Sequence, residues 1–192
     1  MKWVLVAILL LIVPYTILTL RYRKPGPAFE PYSDLKNRAN VSRLLAAGYQ
    51  RIPIVAQRPA EGGRARGGAS ILPAPGGVPA DLRSTLVEPL QLATEITSVT
   101  AAPAAAANQP YAVQIACTLP GDQQQLGGAD LYVRGDQLVL APTFEPTGGG
   151  LYARSRQAAV LLTVPAGTLK PGQYTVTLIA ERASRAWPIE VR

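Results

Sequence analysis

The sequence contains no histidine and a single cysteine, Cys117. Without histidine, the side chain that most often carries acid/base chemistry near neutral pH is missing, and zinc sites built on Cys and His clusters are excluded. A lone cysteine cannot form an internal disulfide. Charged residues make up only 16% of the chain, against about 25% in typical soluble domains. These absences predict a protein that is not an enzyme and that holds no cofactor and no metal ion.

The net charge of +7 is unevenly distributed along the 192 residues. Residues 1–20 carry one charged side chain, Lys2, whereas residues 21–66 carry ten basic and three acidic groups, a net +7. Residues 67–192 have eight basic and nine acidic groups, a net −1. The basic character therefore belongs to one segment, and the remainder of the chain is nearly neutral.

An uncharged run occupies residues 3–20, and twelve of its residues are Leu, Ile or Val. As a helix, a run of this length would cover about the thickness of a bilayer's hydrocarbon core. We therefore predict a transmembrane anchor with a basic flank over residues 1–24, with Trp3, Pro14 and Leu20 in the span. Pro14 would kink the helix because it lacks an N–H donor.

A cleaved signal peptide is the alternative, since Lys2 followed by an apolar run is typical of one. Against it, no small-x-small cleavage site follows, and Arg21, Arg23 and Lys24 are typical of a stop-transfer flank. Basic residues are also more numerous after the run than before it. This predicts a single-pass protein of a bacterial-type inner membrane, with its C-terminal domain in the cytoplasm rather than the periplasm.

Residues 25–80 are predicted to form a basic connector. A short helix is expected over about 33–47, followed by a flexible Pro/Gly-rich segment. Between residues 59 and 80 there are six Gly, four Pro and five Ala, which leave little from which to build a core.

Three interpretations of the basic segment remain open. Its cations could bind anionic lipid headgroups, dock onto integral-membrane subunits, or act only as solvated topology signals. Nucleic-acid binding is disfavoured, because residues 62–68 are rich in Gly and Arg but lack the aromatic side chains that stack on bases. The candidate docking residues are Arg21, Arg23, Lys24, Arg38, Arg43 and Arg51.

Residues 81–192 show the period of two that is typical of strands. In the clearest strand, one face is apolar: Tyr111, Val113, Ile115, Cys117 and Leu119. About seven such short strands in this region predict a mainly β domain, with two packed antiparallel sheets. We expect Cys117 to be a small buried hydrophobe rather than a reactive thiol, and Trp187 to be a core aromatic.

One short motif resembles the tyrosine corner of immunoglobulin-like β-sandwiches. It is Leu-Lys-Pro-Gly-Gln-Tyr at residues 169–174, entering a strand at 175–180. In that family the Tyr hydroxyl bonds to the backbone just upstream. The resemblance implies an Ig-like sandwich of the disulfide-free kind, with Tyr174 as a fold-core residue. It implies nothing about a ligand or a reaction.

Two functions are predicted from these features. The first is a non-catalytic, single-span accessory subunit that stabilises or assembles a larger integral-membrane complex, for which respiratory and photosynthetic assemblies are the analogy. The alternative is a membrane-anchored Ig-like module that binds an exported protein or a glycan. The expected partners of the first are integral-membrane subunits and anionic lipid headgroups, with no nucleic acid and no small-molecule substrate.

Overall fold

The computed structural model describes residues 2–22, 31–59, 67–147 and 155–192. These residues form three helices and ten strands. The helices are α1 (Lys2–Tyr22), α2 (Pro31–Ala46) and α3 (Ala80–Thr85). The strands are β1 (Gln50–Gln57), β2 (Leu72–Pro75), β3 (Glu95–Ala101), β4 (Ala104–Ala105), β5 (Tyr111–Thr118), β6 (Gln124–Arg134), β7 (Gln137–Pro146), β8 (Gln157–Val164), β9 (Gly172–Leu178) and β10 (Ala183–Val191).

The chain divides into two compact units, residues 1–35 and residues 36–192. The first unit contains α1, a 21-residue helix with Pro14 inside it. Over the described ranges, no helix has the length and hydropathy that crossing a membrane requires. On this finding the predicted anchor over residues 1–24, and with it the single-pass inner-membrane location, does not stand. The prediction rested on a count of uncharged residues, and four of the last seven in that run are Pro, Tyr or Thr.

The second unit is built on a closed barrel of eight strands. Their order around the barrel is β3-β5-β8-β1-β6-β7-β9-β10, and β10 returns to β3. Most neighbours are antiparallel, but β7 and β9 pair in parallel, as do β10 and β3. Strands β2 and β4 pair with β10 outside this circuit. The predicted Ig-like sandwich of two antiparallel sheets is therefore wrong, because one sheet of mixed orientation closes on itself.

The strand periodicity explains both the correct and the incorrect part of the prediction. Along β5, buried residues alternate with half-buried ones over the whole strand, and all eight of its residues pair with β8. Alternation of this kind shows that a strand has one buried face. A barrel interior satisfies that requirement as well as the space between two sheets does, so the pattern does not distinguish the two.

Strand β1 lies within the stretch predicted as connector, yet it is part of the barrel wall. Residues Gln50–Ile54 pair with β6, and Val55–Gln57 pair with β8. In the same stretch, β2 pairs with β10, and the predicted short helix is α2. The connector thus contributes one strand to the barrel and another that pairs with β10 outside it, and its residues 25–30 and 60–66 lie outside the described residues.

Two apolar clusters hold the second unit together. The larger fills the barrel interior and includes Phe144, Leu162 and Trp187. The smaller lies on the outer side of β6, β7 and β9, where α2 and α3 cover the sheet. Its buried members are Leu44, Tyr49, Leu82, Leu92, Tyr132, Val139, Ala141 and Ile179.

Candidate functional site

The surface of α1 is apolar and exposed. Trp3 is 86% exposed, Leu11 75% and Tyr15 70%. Residues 10–13 are all exposed, and four consecutive residues go once around a helix of 3.6 residues per turn. The exposed apolar side chains therefore lie on all sides of α1 rather than on one face: Trp3, Ile8, Leu10, Leu11, Ile12, Val13, Tyr15, Ile17 and Leu18. We call this set the apolar helix surface.

The two threonine hydroxyl groups of α1 are satisfied inside the helix. Thr16 Oγ1 donates to the carbonyl oxygen of Ile12 at 2.8 Å, and Thr19 Oγ1 donates to that of Tyr15 at 2.7 Å. A threonine that bonds to its own helix offers its surroundings mainly a methyl group and an already paired oxygen. The two threonines thus leave the surface of α1 largely apolar.

The predicted docking cations differ in their surroundings. Arg21, Arg38 and Arg43 are exposed. Arg51 is exposed as well, but it lies on β1 and its Nη2 donates to Asp130 Oδ2 at 2.8 Å. This hydrogen bond raises the pKa of Arg51, against the opposing effect of burial. The charge of Arg51 is compensated by Asp130, so it is the least suited of these cations to recognise a partner.

Three of the residues singled out from the sequence lie beyond what the structure describes. Arg23 and Lys24 fall in the range 23–30, which the structure does not describe. The side chain of Leu20 is also outside the described part. Of the predicted anchor residues, Trp3 and Pro14 are described, both on exposed positions of α1.

The three predicted fold-core residues occupy different environments. Cys117 is fully buried, and burial raises the pKa of its thiol to about 11. Trp187 is buried in the barrel interior. Tyr174 is only half-buried, and its hydroxyl donates to the carbonyl oxygen of Lys170 at 3.0 Å. The hydrogen bond of a tyrosine corner is therefore present in a barrel, so this local motif does not specify an Ig-like sandwich.

A concave site that sequence reasoning missed lies on the outer side of the barrel. It is a notch of about 400 Å³ between Tyr49, the start of α3, the β6–β7 hairpin and β9. Its polar lining comes from segments far apart in sequence, so no local motif could have revealed it. We call it the β9 notch; its polar side chains are Asp81, Arg134, Asp136, Gln137, Thr175 and Thr177.

Arg134 is the best-anchored polar group of the β9 notch. Its Nη2 donates to Asp81 Oδ2 at 2.9 Å, and its Cζ lies 4.6 Å from the centre of the Tyr49 ring. Burial raises the pKa of Tyr49, an effect that the nearby Arg134 partly opposes. The Asp81 carboxylate therefore compensates the charge of the Arg134 guanidinium, and Asp81 and the Tyr49 ring together fix its orientation.

In the described ranges, no group of three or more His, Cys, Asp or Glu residues is arranged to hold a metal ion. Comparison with protein family models, with characterised proteins and with solved structures finds no match to this chain. The apolar helix surface and the β9 notch are the two surfaces of the described chain that are suited to bind a partner or a ligand.

Proposed function

We propose that the protein is a non-catalytic accessory subunit of a larger protein assembly, in which apolar surfaces of partner subunits enclose α1. The observation that supports the proposal is the exposure of large apolar side chains on all sides of this helix. A helix that is hydrophobic all round is normally buried. A one-sided groove would leave half of α1 in contact with water, so the partner has to surround it, for example with several helices.

The energetics favour such enclosure. Burying one exposed Leu, Ile or Val contributes roughly 1.5–3 kcal/mol, and the apolar helix surface contains seven residues of these types. Their summed burial, at most about 10–20 kcal/mol, is of the size needed to offset the cost of association, about 4–15 kcal/mol. The exposed Arg38 and Arg43 favour an acidic partner surface near α2. That the partners are integral-membrane subunits stays a prediction from the sequence.

Co-purification tests the proposal directly. The full chain, tagged and expressed at its native level, is extracted in mild detergent, separated by size and analysed by mass spectrometry. We expect it to migrate with defined partner proteins in a fixed ratio. Leu11→Asn combined with Leu18→Asn should release it, because both positions lie on the apolar helix surface.

A matched control is Leu72→Asn in β2, at a residue that is 56% exposed outside α1. It should leave the assembly intact, and all variants should unfold at the temperature of the parent chain. Recovery of a free species of 20.3 kDa would contradict the proposal. So would flotation of the partner-free chain with protein-free phosphatidylcholine vesicles, since lipid would then be what covers α1.

A further inference from the structure

We propose that the β9 notch binds a neutral, polyhydroxylated ligand of the carbohydrate class. The notch lies beside the first residues of α3, and side chains of β7 and β9 also line it. Its volume of about 400 Å³ is within the roughly 300–1,000 Å³ that small-molecule sites occupy.

Strand register sets the floor of the notch. In the parallel β7–β9 pair, Gln137 lies beside Thr175 and Val139 beside Thr177. Residues two apart on a strand share a face, so these four side chains form one patch. The patch combines an amide, two hydroxyls and an apolar side chain. It offers both hydrogen-bonding groups and a small apolar contact.

Arg134 supplies hydrogen-bond donors to the notch, and its contacts fix their orientation. Its Nη2 is held by Asp81 at 2.9 Å and lies 3.5 Å from Gln137 Oε1. A guanidinium has five N–H donors in a fixed plane, and Asp81 engages only part of them. Since Asp81 also compensates the positive charge, the remaining donors suit a neutral oxygen rather than an anion.

The acceptors of the notch are Asp136, Thr175 and Thr177. Within the described part of the chain, no hydrogen bond is formed by the side chains of these three residues. A carboxylate accepts two or more hydrogen bonds, and a hydroxyl both donates and accepts. Neighbouring hydroxyl groups on a sugar ring have the same dual capacity, so they complement this mixture of groups.

Charge narrows the class of ligand further. Asp81 and Asp136 together with Arg134 give the notch a formal charge of −1, which disfavours phosphate and carboxylate ligands. An ammonium group would satisfy Asp136, but it would place a cation against the donors of Arg134 and Gln137. A neutral polyol avoids both conflicts.

Saturation-transfer NMR on the full chain tests this inference, in a detergent without a sugar headgroup. The probes are glucose, galactose, mannose, N-acetylglucosamine and their disaccharides. We expect at least one to bind saturably. Thr175→Val with Thr177→Val should weaken its binding ~10-fold or more, the equivalent of ~1.4 kcal/mol. Thr175→Ser, which keeps the hydroxyl, should retain it.

Asp122→Asn is the matched control, because Asp122 pairs with Arg156 at the surface and does not line the notch. It should bind the sugar as the parent does. Three results would each overturn the inference: no saturable probe, binding unaffected by the double Thr→Val change, or binding of lysine or putrescine in place of every sugar. The co-purification test of α1 changes other residues, so its result does not depend on the result of the sugar-binding test.

Discussion

The indole Nε1–H of Trp187 donates a hydrogen bond of 3.1 Å to the hydroxyl oxygen of Tyr111, which in turn donates to the carbonyl oxygen of Ala102 at 2.8 Å. Trp187 and Tyr111 are both buried. An unpaired polar group in an apolar interior is costly, so Trp187 depends on the Tyr111 hydroxyl as acceptor, and that hydroxyl depends on the Ala102 carbonyl. These two hydrogen bonds join β10 to β5 and to the segment that follows β3.

Tyr111→Phe should destabilise the protein by about 1–3 kcal/mol, the cost of leaving a buried donor unpaired. The change removes the acceptor of Trp187 and the donor of Ala102. Urea unfolding followed by circular dichroism measures the effect. Tyr174→Phe is the comparison, because it removes a hydroxyl bonded near the surface, and it should cost less than about 1 kcal/mol. Equal losses in the two variants would be inconsistent with the buried chain.

Two of the buried tyrosines, Tyr111 and Tyr132, predict a loss of stability at alkaline pH. Burial raises the pKa of Tyr111 and of Tyr132 from 10.0 to about 12. A raised pKa means that folding favours the protonated phenol. This contribution is complete below pH 10 and is lost as the pH rises from 10 to about 12, because the unfolded chain then releases protons that the folded chain retains. Urea midpoints across this range should fall. Ionisation of every tyrosine with a midpoint near pH 10 while the fold is intact, followed by tyrosinate absorbance, would contradict the prediction.

Cys117 should be inert in the folded protein. Burial raises the pKa of its thiol to about 11, and only the thiolate is nucleophilic. At pH 8, iodoacetamide should leave the native chain unmodified and should alkylate it after unfolding in urea, as mass spectrometry would show. A Ser42→Cys variant provides an exposed thiol on α2 and should react quickly under native conditions. Modification of Cys117 at a similar rate would show that it is accessible.

Gly76→Ala should destabilise the junction between β2 and α3. A Cβ at Gly76 would overlap the backbone carbonyl of Arg182, which cannot move aside as a flexible side chain can. Substitutions that force such strain typically cost about 1–3 kcal/mol, so the melting temperature should fall by several degrees. Gly121→Ala is the control, since a Cβ there meets nothing within 4 Å. Similar melting temperatures for the two variants would rule out the close approach.

Part of the fold follows from local patterns in the sequence, and part does not. The alternation along β5 predicts its buried face. Strand β1, by contrast, lies in the stretch predicted as a connector, and it pairs with β6 and β8, which follow it by some 70 to 110 residues. No local signal specifies such partners. Parallel pairing of β7 with β9 joins segments that are also well separated in sequence, and it is one of the contacts that closes the barrel.

The two candidate sites also differ in whether a local stretch of sequence reveals them. The apolar helix surface is one continuous stretch, so its composition is visible in the sequence even though the membrane interpretation did not stand. The β9 notch brings Asp81, Arg134 and Thr175 together only after α3, the β6–β7 hairpin and β9 have taken their places. Composition therefore indicates the first surface, whereas the second requires the completed fold.

Strand β10 carries an implication for synthesis of the protein. It is the last strand of the barrel along the chain, and it pairs with β9, β3, β2 and β4. Until residue 191 has left the ribosome, β3 and β9 of the nascent chain would both be open edges, which readily pair with other chains. Closure of the barrel therefore waits for β10, and a chain that has not yet formed this strand exposes the edges of both β3 and β9.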